Sequence, residues 1–289
     1  MDSQGNFQEF RTQNWIMITD EEFRLISSLV YDRIGINLTD QKRTLLMGRL
    51  QKVLRAHRFT NFTEYYNFVV ADKSGQALSD LANYISTNHT FFFRENDHFE
   101  FFLKKALPEL KARLDRTGER DIRIWCAGCS SGEEPYTLVM LMMEFFGPNY
   151  GSYDAGLLAT DISENALRTA RAGIYTYDRI KNLPAPYIKK YFSKLPDGNF
   201  RVAERIIDEV TYRRFNLMND TFPFRKPFDI IFCRNVMIYF DDPTRDKLVD
   251  KFFDLTVPNG FLFIGHSETL NRDKTRYKYI QPALYKKID

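Results

Sequence analysis

The chain has 289 residues, 44% hydrophobic and 27% charged, with 26 Phe, 16 Tyr and a net charge of +3. That is chain enough for one large domain or two modest ones around a Phe-rich core, and too little charge to imply nucleic acid without a local basic patch. MDSQGNFQEF lacks a signal-peptide pattern, Glu144 breaks the longest apolar run, Leu138 to Phe146, far short of the roughly 20 residues of a membrane span, and three cysteines make no disulfide framework, so a soluble, cytoplasmic protein is expected.

Residues 1–85 read as helices. Thr19-Asp-Glu-Glu22 is a capping box, and Phe23, Ile26, Leu29, Val30 and Ile34 follow at helical spacing until Gly35. A second helix starts near Thr39 or Asp40. At about 100° per residue, Leu46, Leu50, Val53 and Leu54 share one arc, and Lys42, Arg49, Lys52 and Arg55 are placed on the opposite side. Charge runs are usually solvated faces. Four cations with no acid among them are less usual, because mixed signs pair at i,i+4, and an acidic partner is the alternative. Next comes STNHTFFFRENDHFEFF, Ser86 to Phe102, where Thr90 and Arg94 bracket three phenylalanines. A plain core helix has no need of Asn88, Thr90 and Arg94 beside them.

From Asp121 the pattern alternates. Strands are expected at 122–128, 155–163, 210–217, 228–236 and 260–266. Helices are expected at 133–146, with Pro135 in the first turn, and at 164–173, closed by Gly173. Continuous apolar strands alternating with helices predict a doubly wound α/β sheet. Between Tyr187 and Thr211 the alternation lapses. Pro-Asp-Gly-Asn between Phe192 and Phe200 predicts a short antiparallel hairpin inserted in the sheet.

In such sheets ligands bind beyond the carboxyl ends of the strands. Three strand ends carry suitable chemistry: Gly128-Cys-Ser-Ser-Gly132, Asp161 and Asn235. An acid at 161 suits ribose hydroxyls, which leaves a dinucleotide or S-adenosylmethionine. The turn is G-x-x-x-G, not G-x-G-x-x-G, and Glu133 and Glu134 open the next helix. A pyrophosphate wants bare N–H groups and positive potential there. Two carboxylates repel it and attract a sulfonium that carries an ammonium, although the helix dipole alone also favours acids in a first turn. The combination favours S-adenosylmethionine. Cys126-Ala-Gly-Cys129 is a C-x-x-C, but it lies in an apolar run and a Gly-rich turn, so small buried side chains are expected. Zinc lacks a second ligand pair.

WCAGCSSGEEPYT, LLATDIS, FDIIFCRNVMIYFDD and GFLFIGHSE, in this order and spacing and preceded by TNHTFFFREN, resemble the chemotaxis receptor glutamate methyltransferases, the CheR family. The resemblance covers nearly the whole chain. It implies a small all-α N-terminal domain at 1–85 that faces the receptor, a Rossmann-like S-adenosylmethionine methyltransferase domain at 86–289, and an inserted antiparallel β-subdomain at 187–212. By similarity, Asn88, Thr90 and Arg94 reach the cofactor from the segment joining the domains, and Gly128 contacts it from the turn. Glu134, with Glu133, would lie near its methionine or ribose part, Asp161 on the ribose hydroxyls, and Asn216 and Leu217 at the adenine. Arg234 and Asn235 would line the cleft floor. Tyr239 would lie near the transferring methyl. A core aromatic at Tyr239 and a salt-bridge partner at Arg234 are the plainer alternatives. Arg94 and Tyr239 are the catalytic candidates, Arg94 orienting either the substrate carboxylate or the cofactor's own. Thr90 and Arg94, four apart, are expected on one helical face toward the cofactor, with Phe91 and Phe92 turned into the domain junction and Phe93 unassigned.

The implied reaction methylates glutamate side chains of methyl-accepting chemotaxis proteins and leaves S-adenosylhomocysteine, for sensory adaptation. Glutamate, with a pKa of about 4.3, is already ionised at neutral pH, so no general base and no metal are expected. Lys42, Arg49, Lys52 and Arg55 are implied to meet the acidic methylation helices of the receptor. Two departures stand out. The loop SKLPDGNFR is short, as in members that do not bind the receptor's C-terminal pentapeptide, so tight tethering is not expected. Gly128 and Ser131 stand where relatives often have Ala and Thr. The rivals are a catalytically silent binding module and a nucleic-acid methyltransferase. The latter lacks its usual Asp/Asn-Pro-Pro-Tyr or Pro-Cys block here and has only one basic helix face. No heptad or apolar stripe demands a dimer, so a monomer is expected.

Overall fold

The computed structural model describes residues 15–86 and 89–288. Its N-terminal part packs α1 (Asp20–Ile34), α2 (Arg43–His57, after a 3-10 turn at Asp40–Lys42), α3 (Phe62–Ala71) and α4 (Gln76–Ile85). The capping box forms: Thr19 Oγ1 accepts from Glu22 N at 3.2 Å, and Glu22 Oε2 accepts from Thr19 N at 2.9 Å. Such a cap contributes about 1 kcal/mol. The other Glu22 oxygen accepts from Thr63 N at 3.0 Å, so one side chain starts α1 and ties it to α3. Phe23, Ile26, Val30, Leu46, Leu50, Leu54 and Leu81 give these helices a core of their own.

The four cations, Lys42 in the 3-10 turn and Arg49, Lys52 and Arg55 in α2, do not lie at one depth. Lys52 and Arg55 are exposed, whereas Lys42 and Arg49 are half-buried. At 100° per residue Arg49 falls within about 40° of Val53, on the shoulder of the apolar arc. Its Nη1 donates to the carbonyls of Tyr84, Ile85 and Ser86 at 3.0, 2.6 and 3.1 Å, where α4 ends. A cation is favoured at a helix C-terminus.

The segment after α4 is not helical where a helical face was expected. Phe93 and Glu95 adopt left-handed backbone, at φ +59° and +57°, which breaks the 3.6-residue repeat, and α5 (Asn96–Phe101) begins only afterwards. A turn, and not a helix, therefore brings Thr90 and Arg94 to one cleft. Phe92 is buried edge-on against Tyr175 and Phe192, at 5.1 and 5.5 Å between ring centres. Phe93 meets Phe99 and Tyr187, both at 5.5 Å. Phe91, expected in the domain junction, is instead exposed at the cleft. Asn88 lies outside the described residues.

A π-helical turn (Phe102–Ala106) leads into α6 (Leu107–Thr117), and the alternation follows. Its elements are β1 (Asp121–Ala127), α7 (Glu133–Phe146), β2 (Asp154–Asp161), α8 (Glu164–Ala172), β3 (Ile174–Tyr175), α9 (Tyr177–Ile180) and α10 (Ala185–Tyr191). Then come β4 (Phe192–Lys194), β5 (Phe200–Val202), α11 (Glu204–Ile207), β6 (Val210–Arg214), β7 (Phe228–Cys233), α12 (Asp242–Asp254), β8 (Thr256–Ile264), β9 (Lys278–Gln281) and β10 (Leu284–Lys286). The main sheet has the order β6-β2-β1-β7-β8-β10-β9. Its first five strands run parallel, and β10 is antiparallel to both β8 and β9. Apolar layers cover both faces, one built on α6, α7 and α8, the other on Trp125 and α12. The doubly wound sheet expected from the apolar runs is thus present.

The hairpin at Pro-Asp-Gly-Asn is present too, closed by Leu195 N donating to Asn199 O at 2.8 Å. It does not enter the main sheet. It joins β3 in a separate three-stranded sheet, β3-β5-β4, which draws in residues well before 187. Among the described residues, no helix is long and apolar enough to cross a membrane.

Candidate functional site

The chain runs from β1 outward to β2 and β6, then returns to the other side of β1 with β7. That reversal opens a crevice at the strands' carboxyl ends. A cleft of about 1040 Å³, its open mouth included, lies there. Thr90, Arg94, Gly128, Glu134, Asp161, Asn216, Leu217, Arg234, Asn235 and Tyr239 all line it. These residues come from four strand ends and the domain joint, so only the fold makes them neighbours.

The turn after β1 is tightly folded on itself. Gly128 has φ +95°, and a Cβ there would overlap Val236 Cγ2, so the turn can lie against the β7 loop only without a side chain. Gly128 N and Cys129 N both donate to Thr160 O, at 2.8 and 2.9 Å, and Gly132 N donates to Cys129 O at 3.1 Å. Ser130 N donates to Asp161 Oδ2 at 2.8 Å. These four N–H groups are therefore closed to a pyrophosphate, which needs such donors free. Asp161 Oδ1 accepts from Ser163 N at 2.8 Å. Desolvation at the foot of the cleft raises the Asp161 carboxyl pKa, against the lowering by the N–H groups of Ser163, Ser130 and Ile162. Each oxygen keeps acceptor capacity for a ligand hydroxyl.

The two glutamates that open α7 part company. Glu134 faces the cleft. Glu133 is fully buried away from it, ion-paired with Arg179 and accepting from Ser131 Oγ at 2.8 Å. Glu133 is a structural anchor of the turn and not a lining residue, contrary to the expectation that it joins Glu134 at the cofactor.

Arg234 holds the floor. Its Nη1 donates to Glu134 Oε2 at 2.6 Å, and its Nη2 donates to Glu95 Oε2 at 3.0 Å and to the Arg94 carbonyl. Phe99 lies 5.1 Å from the guanidinium carbon. Arg234 is thus both a salt-bridge centre and a lining residue. Glu95, which no motif in the sequence singles out, also accepts from Asn235 Nδ2 at 3.1 Å and His266 N at 3.2 Å. Burial alone would raise its pKa; the Asn235 hydrogen bond and the Arg234 charge outweigh burial and lower it. Ligand atoms of Glu95, His98 and His266 lie within 4.8 Å of one another. Arg234 already supplies positive charge at that point. Burial, and then the Arg234 charge, push the His98 pKa down to about 4, so this buried imidazole is neutral.

The mouth and roof come from elsewhere. Arg94 donates from Nη1 to the His89 carbonyl, which folds its side chain back along the domain joint. Ile34, Ile36, Ala82 and Ser86 close the cleft from the helical domain. Asn216 lines the cleft, but its amide is committed: Nδ2 donates to Arg33 O at 2.6 Å and Oδ1 accepts from Met218 N at 3.0 Å. Asn37 N donates to Tyr239 O at 2.8 Å, and the Lys42 ammonium lies 5.9 Å from the centre of the Tyr239 ring. Cys126 and Cys129 are free and buried, and burial pushes both thiols up, as suits small core side chains.

Comparisons with known proteins agree with this architecture. The family model described as CheR methyltransferase, SAM binding domain, matches residues 88–285, and CheR methyltransferase, all-alpha domain, matches residues 21–86. A chemotaxis protein methyltransferase of Borreliella burgdorferi is 47% identical over 273 residues, 94% of this chain and 96% of that protein. A probable chemotaxis protein methyltransferase of Rhizobium etli is 37% identical, covering 90% of this chain and all of that one. The Escherichia coli chemotaxis protein methyltransferase is 36% identical, covering 93% and 92%. A helical domain joined to an S-adenosylmethionine-binding sheet, matched over nearly its full length, makes this chain a member of the CheR family of S-adenosylmethionine-dependent methyltransferases.

Proposed function

We propose that this protein methylates glutamate side-chain carboxylates of chemoreceptors, giving glutamyl methyl esters and S-adenosylhomocysteine. The similar proteins named chemotaxis protein methyltransferase support the receptor as substrate. One feature of the cleft carries the choice of a carboxylate nucleophile: both lining carboxylates are already held, Glu134 by Arg234 and Asp161 by backbone N–H groups. A nucleophile that arrives ionised needs neither as a base, and glutamate, with a pKa of about 4.3, does so.

The residues present fit the cofactor, because four N–H groups of the turn are closed to phosphate while Asp161 keeps lone pairs for a ribose diol. When bound, S-adenosylmethionine supplies an electrophilic methyl group on a sulfonium. Asp161 would accept from the ribose hydroxyls, and Leu217 and Ile36 would cover the adenine. Glu134 would lie at the methionine part. Thr90 and Arg94 would orient the reacting groups at the mouth, where Arg94 would meet a carboxylate, and Tyr239 would wall the transfer position. Ile34 and Ala82 exclude water from the helical side. Rate then comes mainly from in-line placement and a dry cleft. Lys52 and Arg55 present the positive surface that suits acidic receptor helices.

Incubation of the protein with a receptor cytoplasmic domain and methyl-labelled S-adenosylmethionine tests this. Label released as methanol by mild base is expected, the signature of a carboxyl ester. Base-stable label would overturn the glutamate assignment. Cofactor binding with no transfer would instead establish a silent binding module.

A further inference from the structure

The loop after β7 brings Arg234, Asn235 and Tyr239 to the cleft, and its backbone is unusual. Asn235 is left-handed at φ +59°. Gly265 lies directly against it, where any Cβ would overlap Asn235 N and Nδ2. Three N–H groups around this loop converge on one side chain that no part of the mechanism uses. Glu268, only 6% exposed, accepts on Oε2 from Asn235 N at 3.0 Å and Gly265 N at 2.5 Å. Its Oε1 accepts from Ile238 N at 3.0 Å. One carboxylate therefore ties the start of the loop, and the residue next to Tyr239, to the end of β8. Glu268 itself does not line the cleft.

We propose that Glu268 is a positioning residue for methyl transfer, setting Asn235 and Tyr239 against the cleft without touching cofactor or substrate. This assignment rests on the proposed function for the place of Tyr239 beside the reacting methyl. The chemistry requires a carboxylate. Ionised Glu is acceptor-only, with lone pairs enough for all three donors. Glutamine has the same shape but one of its ends is an NH2 donor, which must face either Ile238 N–H or the Asn235 and Gly265 pair. One end of the loop is then released and a buried donor is left unsatisfied. Aspartate keeps both acceptor oxygens on a stem one methylene shorter.

The test compares Glu268→Gln and Glu268→Asp with the wild-type protein in three measurements. These are kcat and KM for receptor methylation, calorimetric affinity for S-adenosylhomocysteine, and hydrogen exchange in peptides covering 234–240. Glu268→Gln is expected to lower kcat roughly ten- to hundredfold, the scale of an ångström-sized misplacement. KM for S-adenosylmethionine should change by less than about threefold, a split that marks loss of positioning and not of binding. Exchange in 234–240 should quicken, and Glu268→Asp should recover part of the kcat. Unchanged kcat in a folded Glu268→Gln protein would overturn the role, as would kcat and S-adenosylhomocysteine affinity falling together in both variants. If the wild-type protein fails to methylate receptor, the proposed substrate falls. Exchange at 234–240 then judges Glu268 alone, and unchanged protection in Glu268→Gln overturns it.

Discussion

Adjacent acids at 133 and 134 have opposite fates: Glu133 is sealed against Arg179, while Glu134 meets Arg234 at the cleft. Neighbours on a helix point about 100° apart, so one of two consecutive glutamates can face a ligand while the other turns into the protein. That much was derivable from the sequence, but which of the two turns inward depends on where Arg179 and Arg234 lie. The consequences separate in solution. Glu133→Gln removes the charge partner of Arg179 inside the protein, at about 1–3 kcal/mol, and is expected to lower Tm by several degrees with S-adenosylhomocysteine affinity unchanged. Asp161→Asn puts an NH2 donor against the N–H of Ser130 or Ser163 and leaves one acceptor oxygen where a ribose diol had two. It should weaken S-adenosylhomocysteine binding about tenfold or more, which corresponds to about 1.4 kcal/mol. Calorimetry and thermal unfolding on both variants check the pair, and equal effects on affinity would contradict the assignment.

At the scale of elements, α2 shows what periodicity can and cannot tell. Its apolar arc was legible from spacing, and so was the excess of cations. Depth was not, because a long arginine on the shoulder of the arc can reach across to a neighbouring helix. Arg49 does so, and a carboxylate in its place would face the three carbonyls at the end of α4. Arg49→Glu is accordingly expected to lower Tm, and it is a poor probe of receptor recognition. The paired reversal Lys52→Glu with Arg55→Glu is the cleaner one. It should abolish receptor methylation while leaving S-adenosylhomocysteine affinity as it is, and retained methylation would remove α2 from the receptor surface. The Pro-Asp-Gly-Asn turn was also readable, since its residues carry their own turn chemistry. The joint at 89–95 was not: left-handed Phe93 and Glu95 are not glycines, and nothing in FFFRE announces them. β9 and β10 escaped because both are short: Lys278–Gln281 has four residues and is mostly exposed, and Leu284–Lys286 has only three.

At the scale of the whole molecule, the helical domain is a wall of the cleft as well as a platform beside it. Asn216 Nδ2 reaches Arg33 O at 2.6 Å, Tyr31 Oη donates to Asp241 Oδ2 at 2.9 Å, and Ser79 Oγ donates to Ile162 O at 2.9 Å. Ser79 is fully buried and also accepts from Glu164 N at 3.3 Å, so a residue of α4 secures the backbone on the far side of Asp161. Ser79→Ala leaves that carbonyl and that N–H without their partner. It should cost about 1–2 kcal/mol of stability and also weaken S-adenosylhomocysteine binding, though position 79 is outside the cleft. Calorimetry that finds affinity intact would show that the helical domain roofs the cleft without bracing it.

The sequence by itself determined the doubly wound sheet, the helical domain, the capping box of α1, the hairpin turn and the strand ends where chemistry gathers. All of these follow from short-range patterns: hydrophobic period, cap residues and turn residues a few positions apart. Only the tertiary structure decided that Glu133 turns away, that Arg49 closes α4, that Phe91 faces the cleft, and that Glu95 and Glu268 hold the loop that carries Asn235. Each of these outcomes is a contact between residues far apart in the chain, or a backbone state that only the surrounding packing makes tolerable. In STNHTFFFREND, composition marked an interface, but the turn at Phe93 and Glu95 set which side chains look into the cleft and which fasten the segment beneath it.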